Sequence, residues 1–273
     1  MATKLSKGRP VVGIIQARMS SSRLPGKALL SIAGVPMLKR VVDRVRRASL
    51  VDKVVVATTT DASDDAIEEA CTSWQVDCYR GDLYDVLDRY YQAARHFRAK
   101  TIVRITADCP MIDPLEIDKV VARFFEEGCD FAANRLPPPL KRTTPIGMDT
   151  EVASFDALQC AWQNAKASFE REHVMPWLYE EPGRVKVCVV DDPREIGHLR
   201  FTVDTPADFA LAEKVFAHFA GQEDFGLDAL LEANAQHPEW QDSLKAVQHK
   251  SYLDTDQRAL QEKKGDTRKE NHD

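Results

Sequence analysis

Short apolar runs alternate with one-sided helical patterns through the first half of this chain, and no other feature restricts its fold as much. Val11-Val12-Gly13-Ile14-Ile15 reads as a strand over 11–16. Leu38, Val41, Val42 and Val45 recur at i, i+3, i+4 and i+7, predicting a helix from about 36 to 48 with Pro36 in its first turn. A strand over 53–58 follows, then a helix that Asp64 and Asp65 start through the dipole, burying Ile67, Ala70, Cys71 and Trp74. Residues 76–79 read as a short strand, and Val86, Leu87, Tyr90, Tyr91 and Ala94 mark the next helix. After a strand over 101–105, Asp113-Pro114-Leu115-Glu116 supplies a cap, a first-turn proline and an acid, opening a helix with Ile117, Val120, Val121 and Phe124 on its stripe. A short strand over 130–134 closes the series. This βαβα rhythm predicts an α/β fold with a mostly parallel sheet and helices on both faces.

The second half is less regular. Residues 135–147 are rich in proline and basic side chains and read as a loop. A strand is expected over 149–153, with Ser154 capping a helix that carries Phe155, Leu158, Trp162 and Ala165. The segment 169–179 is partly helical, with Pro176 breaking or restarting it. Strands are expected over 185–190 and 199–203, a capping box at Thr205-Pro206-Ala207-Asp208, and a short helix over 228–235. From about 251 the chain is polar and highly charged and reads as a disordered tail, leaving 1–250 as a single domain and 251–273 as its appendage.

With 44% hydrophobic residues the chain can bury a sizeable core, and a net charge of -6 argues against a nucleic-acid surface. No apolar run approaches the ~20 residues of a membrane span, and the start lacks a signal peptide's apolar core, so a cytoplasmic protein is expected. The cysteines Cys71, Cys78, Cys109, Cys129, Cys160 and Cys188 include no Cys-x-x-Cys pair or zinc spacing and read mostly as buried, reduced thiols.

Three places carry chemistry. The loop Gln16-Ala17-Arg18-Met19-Ser20-Ser21-Ser22-Arg23-Leu24-Pro25-Gly26-Lys27 follows the first strand, where open α/β sheets place ligands. Its forked and point-charge donors suit a polyphosphate, although a solvated basic loop has the same composition. Asp108 and Asp204 each follow an apolar strand pattern; singly each reads as a turn or cap, together they suit Mg²⁺, which takes one or two carboxylates plus substrate phosphates. Asp113 is explained as a cap. Glu170-Arg171-Glu172-His173 and Arg80-Gly81-Asp82 are weaker candidates for substrate contacts, the first equally a structural helix and the second a surface turn.

These pieces, taken in order, resemble a family. Residues 14–27, Val54-Val55-Val56-Ala57-Thr58-Thr59, Tyr79-Arg80-Gly81-Asp82 with 85–91, Val103 to Asp113, Pro145-Ile146-Gly147-Met148-Asp149-Thr150-Glu151, Arg171-Glu172-His173-Val174 and 200–209 are similar to the cytidylyltransferases of the CMP-sugar-acid synthetase superfamily, most closely the branch named for spore-coat polysaccharide biosynthesis protein F. The resemblance implies a Rossmann-like three-layer α/β/α sandwich of the nucleotide-diphospho-sugar transferase type. It also implies transfer of CMP from CTP to a hydroxyl of a sugar acid or related acceptor, for surface polysaccharide or flagellin glycan. By resemblance, Gln16, Ala17, Arg18, Ser22, Arg23, Lys27, Arg80 and Asp108 bind nucleotide, with Lys27, Arg18 and Asp108 catalytic. Asp108 and Asp204 hold Mg²⁺, and Gly147, Asp149, Glu151, Arg171 and His173 face the acceptor. A homodimer is implied, with 135–185 as the acceptor and dimerisation region. Two departures stand out: Ala107 replaces the glycine of Thr-Gly-Asp, and Ile146 replaces the arginine of Tyr-Pro-Arg-Gly. Two rival readings are a glycosyltransferase on the same sandwich, which would carry an Asp-x-Asp motif that Asp108-Cys109-Pro110 lacks, and a catalytically silent nucleotide-binding subunit.

Overall fold

The computed structural model describes residues 8–137, 139–245 and 247. The chain runs β1 (Val11–Gln16), β2 (Ser31–Ile32), β3 (Val35–Pro36), α1 (Met37–Val45), β4 (Lys53–Thr59), α2 (Asp65–Ser73), β5 (Asp77–Gly81), α3 (Val86–His96) and β6 (Thr101–Thr106). It continues through α4 (Pro114–Glu127), β7 (Phe131–Ala133), β8 (Glu151–Ser154), α5 (Phe155–Asn164), α6 (Ser168–His173), α7 (Pro176–Tyr179) and β9 (Val187–Val189). It closes with α8 (Pro206–His218), α9 (Leu227–Gln236) and α10 (Glu239–Asp242). Seven strands form one sheet in the order β5-β4-β1-β6-β8-β7-β9. All neighbours pair parallel except β8, which is antiparallel to β6 and β7.

The central strand explains why its sequence is an unbroken apolar run. Val11 and Ile15 bury into the core on one face, with α1, α4 and α8; Val12 and Ile14 bury on the other, with α3 and α5. A strand covered on both faces has no polar side to alternate with. The expected sandwich is therefore present. Asp113 caps α4 by accepting from Leu115 N at 2.8 Å, and Ser154 caps α5 by accepting from Ala157 N at 3.1 Å. The box at Thr205 and Asp208 opens α8, and the 169–179 segment splits at Pro176 into α6 and α7.

Several expectations need correction. Pro36 does not lie in the first turn of α1 but ends the small β2–β3 hairpin and sits at the helix N-cap. Residues 199–203 form no strand. They make a single bridge, Ile146 to Arg200, because their amides are shared between two loops: Phe201 N bonds Ile146 O at 2.7 Å and Val203 N bonds Asp108 O at 2.8 Å. Cys129 and Cys188 are not reduced thiols but a disulfide joining the residues flanking β7 and within β9. Cys71 is a buried thiol as expected, and Cys109, set in the Asp108 motif, is buried too, whereas Cys78 is half-buried and Cys160 exposed. The charged stretch 251–273 lies outside the described residues. Among the described residues no helix is long and apolar enough to cross a membrane.

Candidate active site

The loop after β1 is fixed at several points. Ala17 N bonds Ala57 O at 3.1 Å, and Gly26 N returns to Met19 O at 2.9 Å. Gly26 takes φ 72, a left-handed conformation that glycine adopts without steric cost, and it hands the chain to Lys27. The principal anchor is Asp64. Buried, it accepts from Met19 N at 2.7 Å and from Thr58 Oγ1, Thr59 N and Thr59 Oγ1 at 3.0, 3.1 and 2.5 Å. Its role in the sequence reading was to start α2; the structure gives it no capping bond there and uses it to hold the loop to the end of β4.

Lys27 draws the remote parts of the site together. Its ammonium donates to Asp108 Oδ2 at 3.0 Å, Asp204 Oδ1 at 2.8 Å and Val203 O at 2.8 Å. Asp108 also accepts from Thr106 Oγ1 at 2.5 Å. Asp204 meets Arg23 at 3.1 Å and Arg200 at 3.1 Å. Arg200 in turn is bonded to Asp208 at 2.6 and 2.9 Å, and Asp208 accepts from Asp204 N at 3.0 Å. Thr202 Oγ1 and Val203 N both bond Asp108 O, so the two aspartates are held side by side by backbone as well as by lysine.

Burial works against charge here, and the partners overcome it. It pushes the Lys27 ammonium down, but Asp108 and Asp204 together hold it above its ordinary value. It pushes the Asp108 carboxyl up, and Lys27 with Thr106 brings it below the usual carboxylate range. The neighbouring Cys109 thiol, buried and facing Asp108, is driven well above its ordinary value and stays neutral.

Around β8 and the 142–149 loop two charge pairs form. Arg104 on β6 bonds Glu151 on β8, and its Nε bonds Gln16 Oε1 at 3.2 Å. Arg142 forks onto Asp149 at 2.5 and 3.0 Å. Gly147 has φ 102, and a Cβ there would lie 2.6 Å from Phe201 C and Thr202 N, so only glycine permits this loop to lie against the segment leading to Asp204. Asn134 clamps the loop's return, donating to Met148 O at 2.7 Å and accepting from Thr150 N at 2.8 Å.

Of the residues singled out from sequence, Arg23, Lys27, Asp108 and Asp204 form one network, and Gln16 and Glu151 are joined through Arg104 into a second beside it on the sheet. Arg18 is half-buried and Ser22 exposed on the loop itself. His173 ends α6. Arg80 and Arg171 are engaged elsewhere. Arg80 spends its donors on Thr59 O, Asp61 O, Asp65 and Glu68, which tie β5 to α2. Arg171 forks onto Asp85, the cap of α3, and bonds Trp162 O at 2.7 Å, which ties α6 to α3 and α5. In this geometry each of their guanidinium nitrogens has a protein partner, as the Lys27 ammonium does. The sequence reading missed Asp64, Arg200, Asp208 and Asn134 as supports of the site. Only the capping-box spacing at Asp208 offered a signal, and it pointed to the helix alone.

The geometry agrees with what the chain is similar to. A family model described as Cytidylyltransferase matches residues 12–235. The spore coat polysaccharide biosynthesis protein SpsF of Bacillus subtilis is 27% identical over 236 residues, covering 84% of this chain and 95% of that one. The 3-deoxy-manno-octulosonate cytidylyltransferase of Geobacter sulfurreducens is 40% identical over 118 residues, covering 42% of this chain and 46% of that one. Among solved structures, a cytidylyltransferase from Leptospira borgpetersenii superposes with a TM-score of 0.80 at 30% identity, covering 88% of this chain and 99% of that one. The chain belongs to the cytidylyltransferase family and is a nucleotidyltransferase.

Proposed function

We propose that this enzyme transfers CMP from CTP to a hydroxyl of a sugar acid or related acceptor, releasing pyrophosphate, in the assembly of surface polysaccharide or flagellin glycan. The observation that carries the reading is Lys27 bonded at once to Asp108, just past β6, and to Asp204, after the 199–203 segment, on a loop that also presents Arg18, Ser22 and Arg23. The acceptor oxygen forms its bond to the α-phosphorus as the bond to pyrophosphate breaks, and the hydroxyl proton passes to solvent. Such a step needs positioning and charge neutralisation more than covalent help. Lys27, Arg18 and Arg23 take the charge of the leaving pyrophosphate, with Ser22 and loop amides completing the cradle.

Asp108 and Asp204 fit Mg²⁺. Among the described residues no group of three or more His, Cys, Asp or Glu is placed to hold a metal, so phosphate oxygens and waters must complete the shell, as they commonly do for Mg²⁺. When bound, the ion would neutralise phosphate charge as the α-phosphorus is attacked.

The acceptor is assigned to the side of Gly147, Asp149, Glu151 and His173. Arg135 belongs with them. Every other arginine between 104 and 200 is paired with a carboxylate, whereas Arg135, half-buried just beyond β7, has none among the described residues. It is the cation best able to receive an acceptor's carboxylate where Ile146 supplies none. The same reading expects a single catalytic domain over 1–250 acting as a homodimer in the cytoplasm, which light scattering and fractionation would check.

Purified protein supplied with CTP, Mg²⁺ and a panel of sugar acids is expected to release pyrophosphate and form a CMP-linked product. Silence across the panel, with CTP not bound either, would overturn the reading.

A further inference from the structure

Asp204 is crowded by cations and Asp108 is not. Lys27 Nζ lies 2.8 Å from one Asp204 oxygen, while Arg23 and Arg200 each lie 3.1 Å from the other. Among the described residues Asp108 meets one cation, Lys27, at 3.0 Å. The three cations around Asp204 differ in how firmly they are held. Arg200 is 4% exposed and forked onto Asp208, so it is fixed. Lys27 and Arg23 belong to the 16–27 loop, and their side chains are 14% and 31% exposed.

A divalent cation that binds both carboxylates needs the oxygens these two side chains hold. It must displace an ammonium and a guanidinium to reach them, and each lies close enough for its charge to weigh strongly against a second cation. A triphosphate changes that balance. It offers the same two side chains several charged oxygens, which are stronger and more numerous acceptors than one shared carboxylate.

We propose that Lys27 and Arg23 are exchangeable counterions of the aspartate pair: they pass to the triphosphate, and their departure opens Asp108 and Asp204 to the divalent cation. Arg200, held by Asp208, stays behind and keeps Asp204 aimed. Metal and nucleotide are thereby coupled through residues of the protein as well as through their own contact, and the coupling is reciprocal. The inference rests on the cytidylyl-transfer reading only in taking a triphosphate and a divalent metal as the ligands.

The test is Mn²⁺ binding to the full chain without nucleotide, followed by the paramagnetic signal of the free ion. Lys27→Met is expected to bind Mn²⁺ about tenfold more tightly than the parent, because a competing charge about 3 Å away is gone. The same variant is expected to bind a non-hydrolysable CTP analogue at least tenfold more weakly. Damage to the site can only weaken metal binding, so a gain is not mimicked by misfolding. If Lys27→Met does not fold by circular dichroism, Arg23→Gln decides in its place, with about threefold tighter Mn²⁺ binding expected. Unchanged or weaker Mn²⁺ binding in the folded variant overturns the proposal. Failure of the functional reading shows separately, as a parent protein that neither binds the analogue nor releases pyrophosphate.

Discussion

The two sides of the crevice handle charge in opposite ways. Around the loop after β1, charges are shared: Lys27, Arg23 and Arg200 all converge on Asp204, while Lys27 also holds Asp108 and Arg200 also holds Asp208. Across the sheet, Arg104 has Glu151 and Arg142 has Asp149, each pair complete in itself. Shared partners can be exchanged for a ligand at little loss, whereas breaking a private buried pair leaves an uncompensated charge. On the proposed reading the first side receives a highly charged molecule, and the second holds a shape.

The sharpest way to break this comparison is to neutralise the shared carboxylates. Asp108→Asn and Asp204→Asn are each expected to lower turnover by about a thousandfold or more, since they remove the charge that organises a phosphoryl-transfer site. Their melting temperatures should stay within a few degrees of the parent. Near-normal turnover in either would show that the carboxylates are structural.

Gly147→Ala probes the shaped side. A methyl group 2.6 Å from the backbone of Phe201 and Thr202, at a positive φ, is expected to cost about 2 kcal/mol in urea unfolding. It should also raise KM for the acceptor while affinity for CTP holds. A loss confined to CTP would invert the two sides.

The smallest effect is expected at Arg171→Met. Its fork onto Asp85 joins α6 to α3 at a partly exposed surface, so about 1 kcal/mol of stability should be lost with both KM values unchanged. A large rise in acceptor KM would restore Arg171 to the site, as its place in the Arg171-Glu172-His173-Val174 block suggests.

The fold was legible wherever periodicity and caps agreed. The run at β1, the stripe of α1 and the Asp113 cap each follow from local chemistry that needs no distant partner. The 199–203 segment was misread because its alternating apolar residues do look like a strand; its amides are claimed by the carbonyls of Ile146 and Asp108, and sequence carries no sign of that. The disulfide was invisible for the same reason, since Cys129 and Cys188 meet only after β9 pairs with β7. At the site, the charged residues of the loop and the two aspartates were legible as types of chemistry. The ties that Arg80 and Arg171 make within the protein were not, because motif position does not reveal which neighbours meet a side chain's donors.

The reversal of β8 has a consequence for how such a chain can diversify. Because β8 runs against β6 and β7, its first residue, Glu151, lies opposite Ala133, the last residue of β7. The connection between them, 134–150, thus leaves and re-enters the sheet at one rim. Both of its ends are fixed by a single side chain, Asn134. Ile146 and Gly147 are bound to the segment that leads to Asp204, so change in this connection is open to the stretch before them, where the strands and the two aspartates can keep their places. Descendants of one frame can in this way acquire a new rim one loop at a time.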